Sequence, residues 1–271
     1  MKRNFKIALP ILLVFMGFIA MSFTTGNDSV ILRLNVKKSQ SFTMNGKINQ
    51  LMTINAQGMN MSVPQTIEMR QSVNIEDVDN DQITTSSSID AFKLTMTQMG
   101  MKLTYDSEHP ENNSPMLASA TGEIDKIIGK KFTTSYSNRG ELLQSEEINA
   151  SINYQTGIII QLPEEAIQVG SQWTQDTTMN VNNIDVKTVN TYTVSEISKK
   201  NITLSMTSKG VIDSETMAMD MNMSGEGTII ISRTTGLVTK TTSKTNCSMT
   251  IEEQGMKMPM TMTMNAEYTM E

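Results

Sequence analysis

The residue types that most often build reactive sites are scarce in this chain. Its 271 residues include one cysteine, one histidine and one tryptophan, and only 5% are aromatic. Cys247 has no partner for an internal disulfide, so the hydrophobic core alone must hold the fold together. Because no histidine lies near it in sequence, we predict that Cys247 is a small buried apolar side chain and not a reactive thiol. The low aromatic content disfavours a sugar-stacking platform.

No sequence pattern marks a catalytic or cofactor site. A phosphate-cradling glycine loop, zinc-ligand spacing and a nucleophile elbow are all missing. His109 lies in the polar loop "SEHPENNS", where we predict a solvated side chain and not a catalytic base. Distant Asp and Glu residues could converge as a hydrolase pair, but the sequence selects none. We therefore expect that the protein is not an enzyme and uses no cofactor.

Charge also limits the possible partners. The chain has 22 Lys and Arg against 28 Asp and Glu, and the basic residues are scattered, which is atypical of nucleic-acid binding. Asp77, Asp79 and Asp81 alternate as in a calcium loop. However, the sharp-turn glycine is missing, and Ser88 stands where a bidentate Glu would be needed. We predict a hairpin turn at this position.

The first residues have the features of a secretory signal. Lys2, Arg3 and Lys6 precede an apolar run over 7–21 that is too short for a confident membrane span. We assign residues 1–22 to a signal peptide, with small residues suiting cleavage after residue 22 or 26. No cysteine follows the run, so we expect no lipoprotein anchor. The prediction is a periplasmic or secreted protein of a bacterial cell envelope with no stable span after processing; the alternative is an uncleaved anchor.

Methionine at alternate positions is what the chain has in abundance. It has 25 methionines, three of them in the predicted signal. In "GMKMPMTMTMNAEYTM", residues from Met256 to Met270 alternate between apolar and polar apart from Pro259, as in a strand with one buried side. Since Pro259 cannot donate a ladder hydrogen bond, we expect regular pairing to begin after it.

The same alternation recurs over 59–75 and 217–223. Around "AFKLTMTQMGMKLTY" the apolar parity changes, which predicts a bulge or tight turn near Thr97 and Gln98. Turn signals also fall at "VDNDQ", "SNRG", "SKKN" and "RTTG", each between strand-like runs. The pattern is typical of an antiparallel β fold.

Three similarities recur in the same order along the chain. "KKSQSFT" resembles "IQVGSQWT", "VNIEDVDNDQITTSSS" resembles "YTVSEISKKNITLSMT", and "SYSNRGELL" resembles "ISRTTGLVT". We predict a mostly β fold in which two related antiparallel meanders form a curved sheet or an open barrel or sandwich. The first β repeat covers 30–147 with a short amphipathic helix at about 116–128, the connector covers 148–162 with a buried strand at 158–162, and the second repeat covers 163–271.

The chain resembles a family of uncharacterised bacterial envelope proteins known only as a domain of unknown function. The resemblance is carried by these phrases together with "QMGMKLTYDSEHPENN", "IIGKKFTTSYSNRGEL", "LPEEAIQVGSQW" and "GMKMPMTMTM". The resemblance covers nearly all of the mature chain. It implies an exported β protein and carries over no catalytic residues. A weaker analogy of shape connects the pattern to the open β half-barrels of periplasmic lipoprotein carriers.

The methionines admit three interpretations. They can be core residues, although valine and isoleucine are better strand formers. They can line a groove for greasy ligands of variable shape, because an unbranched thioether repacks easily. They can bind a soft ion such as Cu(I), with Met258, Met260 and Met262 as the candidate ligands. Oxidant scavenging is a minor further possibility.

Our functional prediction is a non-enzymatic binding or carrier protein with a methionine-lined apolar groove. Its partner would be a hydrophobic small molecule, a lipid or an amphipathic segment of another envelope protein. The alternatives are a soft-metal chaperone and a structural envelope module. The predicted groove residues are Met59, Met61, Met99, Met101, Met217, Met219, Met221, Met258, Met260, Met262 and Met264.

Overall fold

The computed structural model describes residues 29–56, 59–79, 81–145, 157–181, 184–213, 220–253 and 256–271. Most of the regular structure in these ranges is β-strand, as the two-residue alternation predicts. The strands of the first half are β1 (Ser41–Ala56), β2 (Met59–Asp79), β3 (Gln82–Gln98), β4 (Met101–Asp106), β5 (Phe132–Ser137) and β6 (Leu142–Ser145).

The second half supplies six further strands to the same sheet. All pairings between strands are antiparallel, in the order β6-β5-β3-β2-β1-β12-β11-β10-β9-β8-β7, with β4 paired to β3. The two halves join where β1 pairs with β12, and within the described residues the edge strands β6 and β7 do not pair, so the sheet is open. The strands are β7 (Gln172–Val181), β8 (Ile184–Ile197), β9 (Asn201–Asp213), β10 (Asp220–Ser232), β11 (Val238–Glu253) and β12 (Met256–Met270).

The predicted relation between the two meanders is visible in their hydrogen bonds. Ser39 and Gly170 precede the first strand of each half and both have positive φ, 68° and 90°. The Ser39 N–H donates to the Ile75 carbonyl at 2.8 Å, and the Gly170 N–H donates to the Val194 carbonyl at 2.8 Å. A register shift follows directly after Ile75 in β2 and after Val194 in β8. The two halves therefore share local geometry as well as sequence.

A second matched pair lies in the hairpin turns predicted at "SNRG" and "RTTG". Gly140 has φ 78° and Gly236 has φ 72°, a region that costs side-chain-bearing residues energy. A Cβ at Gly140 would come within 2.3 Å of the Ile160 carbonyl oxygen, and a Cβ at Gly236 within 2.3 Å of the Arg33 carbonyl oxygen. Each glycine thus lets an extended segment, 30–36 or 158–167, lie directly against a hairpin turn.

Those two segments form the centre of the main core. Leu32, Leu34, Leu162 and Ile167 are buried among residues from β2, β3 and β8–β11, so both wings of the sheet curl around the segments. We call this the core end of the sheet. Residues 158–162 are buried as expected, but they are not a strand. They make single hydrogen bonds to different partners, such as Val238 N–H to the Ile158 carbonyl at 2.9 Å, instead of a ladder.

The one α-helix among the described residues, α1 (Ala118–Asp125), covers the sheet at β3 and β4. It is shorter than predicted because its entry is a 3-10 turn over Pro115–Leu117. Leu117 is buried against Leu103 and Tyr105 of β4, and Ile124 packs on the same cluster. The Tyr105 hydroxyl donates a hydrogen bond to the Asp125 carboxylate, which fixes the end of the helix on the sheet.

Two local expectations have different outcomes. The parity change is produced by a tight turn, since Gln98 pairs with Met101 and both Met99 and Gly100 have positive φ. The expectation for Pro259 is wrong, because β12 begins at Met256 and Pro259 pairs with Thr250 of β11. The pairing of β12 with β1 extends only to Met260, which is paired with Ile54. Pro259 therefore has no partner in β1, and no N–H from the proline is needed on that side.

The predicted signal peptide, residues 1–22, and both predicted cleavage sites lie outside the described residues. In the ranges that the structure describes, no helix has the length and apolar character needed to cross a membrane. The aspartate-rich stretch forms the β2–β3 hairpin, and Asp77 is paired with Lys38 at 3.0 Å.

Candidate methionine face

Strand register places the methionines on one side of the sheet. Directly paired residues of antiparallel strands point to the same face, and residues two apart on a strand share that face. Met52 pairs with Met262 of β12 and with Val63 of β2, and Met260 pairs with Met249 of β11. We call this side the methionine face; its described methionines are Met44, Met52, Met59, Met61, Met69, Met96, Met101, Met206, Met221, Met223, Met249, Met258, Met260, Met262, Met264 and Met270.

The opposite side, the polar face, carries hydroxyls, amides and paired charges. Lys47 contacts Glu68 at 2.9 Å, and Lys240 contacts Glu267 at 2.6 Å, both between neighbouring strands. Leu51 is an exposed apolar exception. The two faces therefore differ chemically along the full length of β1 and β12.

Only part of the methionine face belongs to the core. Met44, Met69, Met96, Met206 and Met270 pack in the core clusters at the core end or under α1. The other methionines of this face belong to none of the core clusters that the described residues form. These are Met52, Met59, Met61, Met101, Met221, Met223, Met249, Met258, Met260, Met262 and Met264.

The predicted groove residues are distributed unevenly over this surface. Met258, Met260, Met262 and Met264 of β12 share the face with Met221 of β10. They are half-buried by their strand neighbours.

Four of the remaining predicted residues lie at the far end of the sheet, which we call the tip end. Met59 and Met61 are at the start of β2, with Met59 68% exposed. Met101 begins β4 and is also exposed, whereas Met99 is in the preceding turn, is 80% exposed and is not a strand residue. Met217 and Met219 lie outside the described residues.

The predicted groove residues leave out four residues of this surface, namely Met52, Met223, Met249 and Cys247, although the alternation over 217–223 includes Met223. Met52 follows an apolar alternation in "LMTI", and Cys247 and Met249 alternate in "NCSMTI". That signal was available for strand prediction, but it does not say which strands are neighbours. Pairing places β11, with Cys247 and Met249, between the two most methionine-rich strands.

The result is a compact patch of sulfur atoms. Cys247 pairs with Met262 on one side and with Met223 on the other, and the adjacent row is Met260, Met249 and Met221. Cys247 is 5% exposed, as predicted for a buried cysteine, and burial raises the pKa of its thiol.

The ionisable groups with the clearest contacts lie elsewhere. A groove of about 540 Å³ on the polar face is bordered by His109, Lys93 and Asp106. The Lys93 ammonium contacts the Asp106 carboxylate at 3.0 Å, and this hydrogen bond lowers the pKa of Asp106. His109 is exposed and lies 3.5 Å from Glu111. Within the described ranges, no three His, Cys, Asp or Glu side chains come together in a way that could hold a metal ion.

A second depression of about 390 Å³ also opens on the polar face, between Glu226, Lys244 and Glu267. Both depressions are lined mainly by charged and amide side chains. Lys47 and Glu267, which line both, contact Glu68 and Lys240 respectively. None of the methionines outside the core clusters lines either depression.

Comparison with known proteins gives limited matches. Residues 143–238 match the model of a family of unknown function (DUF6263). The match covers the chain from the end of β6 to the start of β11, so β12 with its methionine row lies outside it. No curated protein matches the chain.

Two solved structures are similar at low identity. The translocator domain of the autotransporter NalP from Neisseria meningitidis has 6% identity and a TM-score of 0.38, over 87% of this chain and 90% of that chain. A domain assigned to outer membrane lipoprotein sorting in Vibrio parahaemolyticus has 10% identity and a TM-score of 0.15, over 84% and 83%. At TM-scores this low, neither structure indicates a function for this chain.

Proposed function

We propose that the chain is an exported binding or carrier protein that holds lipid-like or amphipathic ligands on its methionine face. The observation that supports this is the methionine-rich surface of β1, β2, β10, β11 and β12 that belongs to no core cluster of the described residues, interrupted at Met264 by Gln50 and Thr245. Clustered apolar side chains that pack into no core are typical of an interaction site. The envelope location and the absence of catalysis stay predictions from the sequence.

The ligand would be held by burial of apolar area. Methionine has three rotatable bonds and a polarizable sulfur, so one set of side chains can fit ligands of different shape. The sheet is not closed, which suits an acyl chain or an amphipathic segment lying along the strands better than an enclosed small molecule. The polar face, with its paired charges, would remain in water.

Two adjacent residues of β12 provide a matched test. Met260 points to the methionine face between Ile54 and Met249, whereas Thr261 points to the polar face between Thr53 and Ser248. Lysine at position 260 would have to lose water when a ligand covers the face, whereas lysine at 261 would stay solvated. Neither position belongs to a core cluster, so both variants should fold.

The measurement is binding of a fluorescent phospholipid analogue to the purified mature protein, with melting temperature as the check on folding. We expect Met260→Lys to weaken binding about tenfold or more, which corresponds to about 1.4 kcal/mol, and Thr261→Lys to change it little. Equal affinity of both variants would refute the assignment to this face. If wild-type protein with a normal melting transition bound no analogue, a structural envelope module would be the better explanation.

Export has its own measurement. N-terminal sequencing of the protein recovered from the periplasm or medium should start at residue 23 or 27. A protein that begins at Met1 and sediments with membranes would indicate the uncleaved anchor instead.

A further inference from the structure

We infer that Cys247, Met223 and Met262 form a binding site for a soft monovalent metal ion, Cu(I) or Ag(I). The three residues are consecutive in one row across β12, β11 and β10, with Cys247 in the middle. The sequence-based candidates Met258, Met260 and Met262 all lie on one strand, where alternate residues are about 6.6 Å apart. Paired residues on adjacent strands have Cβ atoms only about 5 Å apart.

The spacing fits one ion bound by three sulfurs. A metal–sulfur bond is about 2.3 Å long, so two sulfurs on one ion lie within about 4.6 Å of each other. The short Cys247 side chain would place an ion just above the sheet, and the longer thioethers on either side can lean over it. Met249 and Met260 add further sulfur in the next row on one side of the site, and the row on the other side holds Thr245 and Met264.

One side chain must move to complete the site. The Met223 methyl lies over Gly210 of β9, with its Cε 2.6 Å from where a Cβ of Gly210 would be. Glycine leaves room for this arrangement, and rotation of Met223 toward Cys247 needs only side-chain torsions. Metal binding would therefore redirect a thioether without moving the backbone.

Charge favours a monovalent ion over a divalent one. Cys247 is the only ionisable residue of the row, so its thiolate neutralises one positive charge and leaves no net charge on an apolar surface. A divalent ion would leave an unpaired charge there. Binding replaces the S–H bond with an S–metal bond and releases one proton to solvent.

Titration of the lipid-free mature protein with Ag(I), which needs no reductant, tests the site. We expect one tightly bound Ag(I) with one proton released, and an apparent affinity that rises about tenfold per pH unit while the free thiol stays protonated. Cys247→Ser should reduce affinity roughly 100-fold and abolish proton release, and Met223→Leu and Met262→Leu should each reduce it about tenfold.

Met264→Leu is the matched control, since Met264 is on the same strand and face as Met262 but pairs with Gln50 and Thr245, which carry no sulfur. Its affinity should stay within about twofold of wild type. Binding without proton release, or an equal loss in Met264→Leu and Met262→Leu, would overturn the inference. The proton count uses wild-type protein, so it tests the metal site even if Cys247→Ser does not fold. No lipid is present in this titration, so its result is separate from the test of the proposed function.

Discussion

Replacement of Gly236 by alanine should open the core end of the sheet. Gly236 has φ 72°, and an added Cβ would lie 2.3 Å from the Arg33 carbonyl oxygen and 2.8 Å from its carbon. These are backbone atoms, so relief requires displacement of the segment 30–36. Leu32 and Leu34 of that segment are in the main core, and the adjacent Asn35 N–H donates to Thr235 at 2.9 Å.

The magnitude follows from two separate costs. The left-handed conformation costs an alanine about 1–2 kcal/mol. Crowding of well-packed atoms adds about 1–3 kcal/mol, so the free energy of unfolding should fall by about 2–5 kcal/mol in total. Gly100→Ala is the control, because Gly100 has φ 79° but no atom within 4 Å of its Cβ position, and it should lose only the first amount.

Equilibrium urea unfolding followed by circular dichroism measures both variants under the same conditions. The difference between them isolates the contact with the segment 30–36. If Gly236→Ala and Gly100→Ala lost the same free energy, that segment would not be held against the turn, and our description of the core end would be wrong.

Three further predictions concern the core and the pH dependence of stability. Ile202→Ala should lower the free energy of unfolding in urea by about 2–5 kcal/mol, because Ile202 is 0% exposed. Ile31→Ala, at a position 64% exposed, should change it by less than about 0.5 kcal/mol. Similar losses in the two variants would contradict the burial assigned to Ile202 and Ile31. Gly46→Ala should cost about 1–3 kcal/mol because its Cβ would lie 2.7 Å from the Tyr268 ring, and an unchanged melting temperature would show that the ring is free to move. Burial raises the pKa of Tyr192 to about 12, so its contribution to stability is complete below pH 10 and is lost as pH rises from about 10 to 12, at about 1.4 kcal/mol per pH unit. Unfolding measured from pH 8 to 12 should therefore show a shallower alkaline loss in Tyr192→Phe than in wild type, and parallel curves would refute the assignment.

Much of the fold follows from short-range patterns. The apolar alternation from Met258 to Met270 predicts the strand and its buried side because side chains of a strand alternate between faces. The turns predicted at Gly140 and Gly236 are confirmed. Both glycines have the left-handed backbone, which glycine adopts at low cost and other residues do not. The pattern around Thr97 predicts a reversal, and the pairing of Gln98 with Met101 confirms it.

Other features depended on contacts that no local pattern contains. Residues 158–162 look like a buried strand, yet they fill the centre of the core without pairing as one, because the neighbouring strands are already paired to each other. Pro259 looks like a strand boundary, but the end of pairing with β1 at Met260 removes the demand for its N–H.

By itself the sequence determined that the chain is β-rich and that methionine occupies one side of its strands, since both depend on a period of two residues. It also determined that the halves are related, because similar phrases recur in the same order. Only the tertiary structure decided which methionines meet. Cys247 lies between Met223 and Met262 because β10, β11 and β12 pair in one particular register. That register is set by the packing of whole strands around the core, so the position of a sulfur patch depends on residues distant from every sulfur in it.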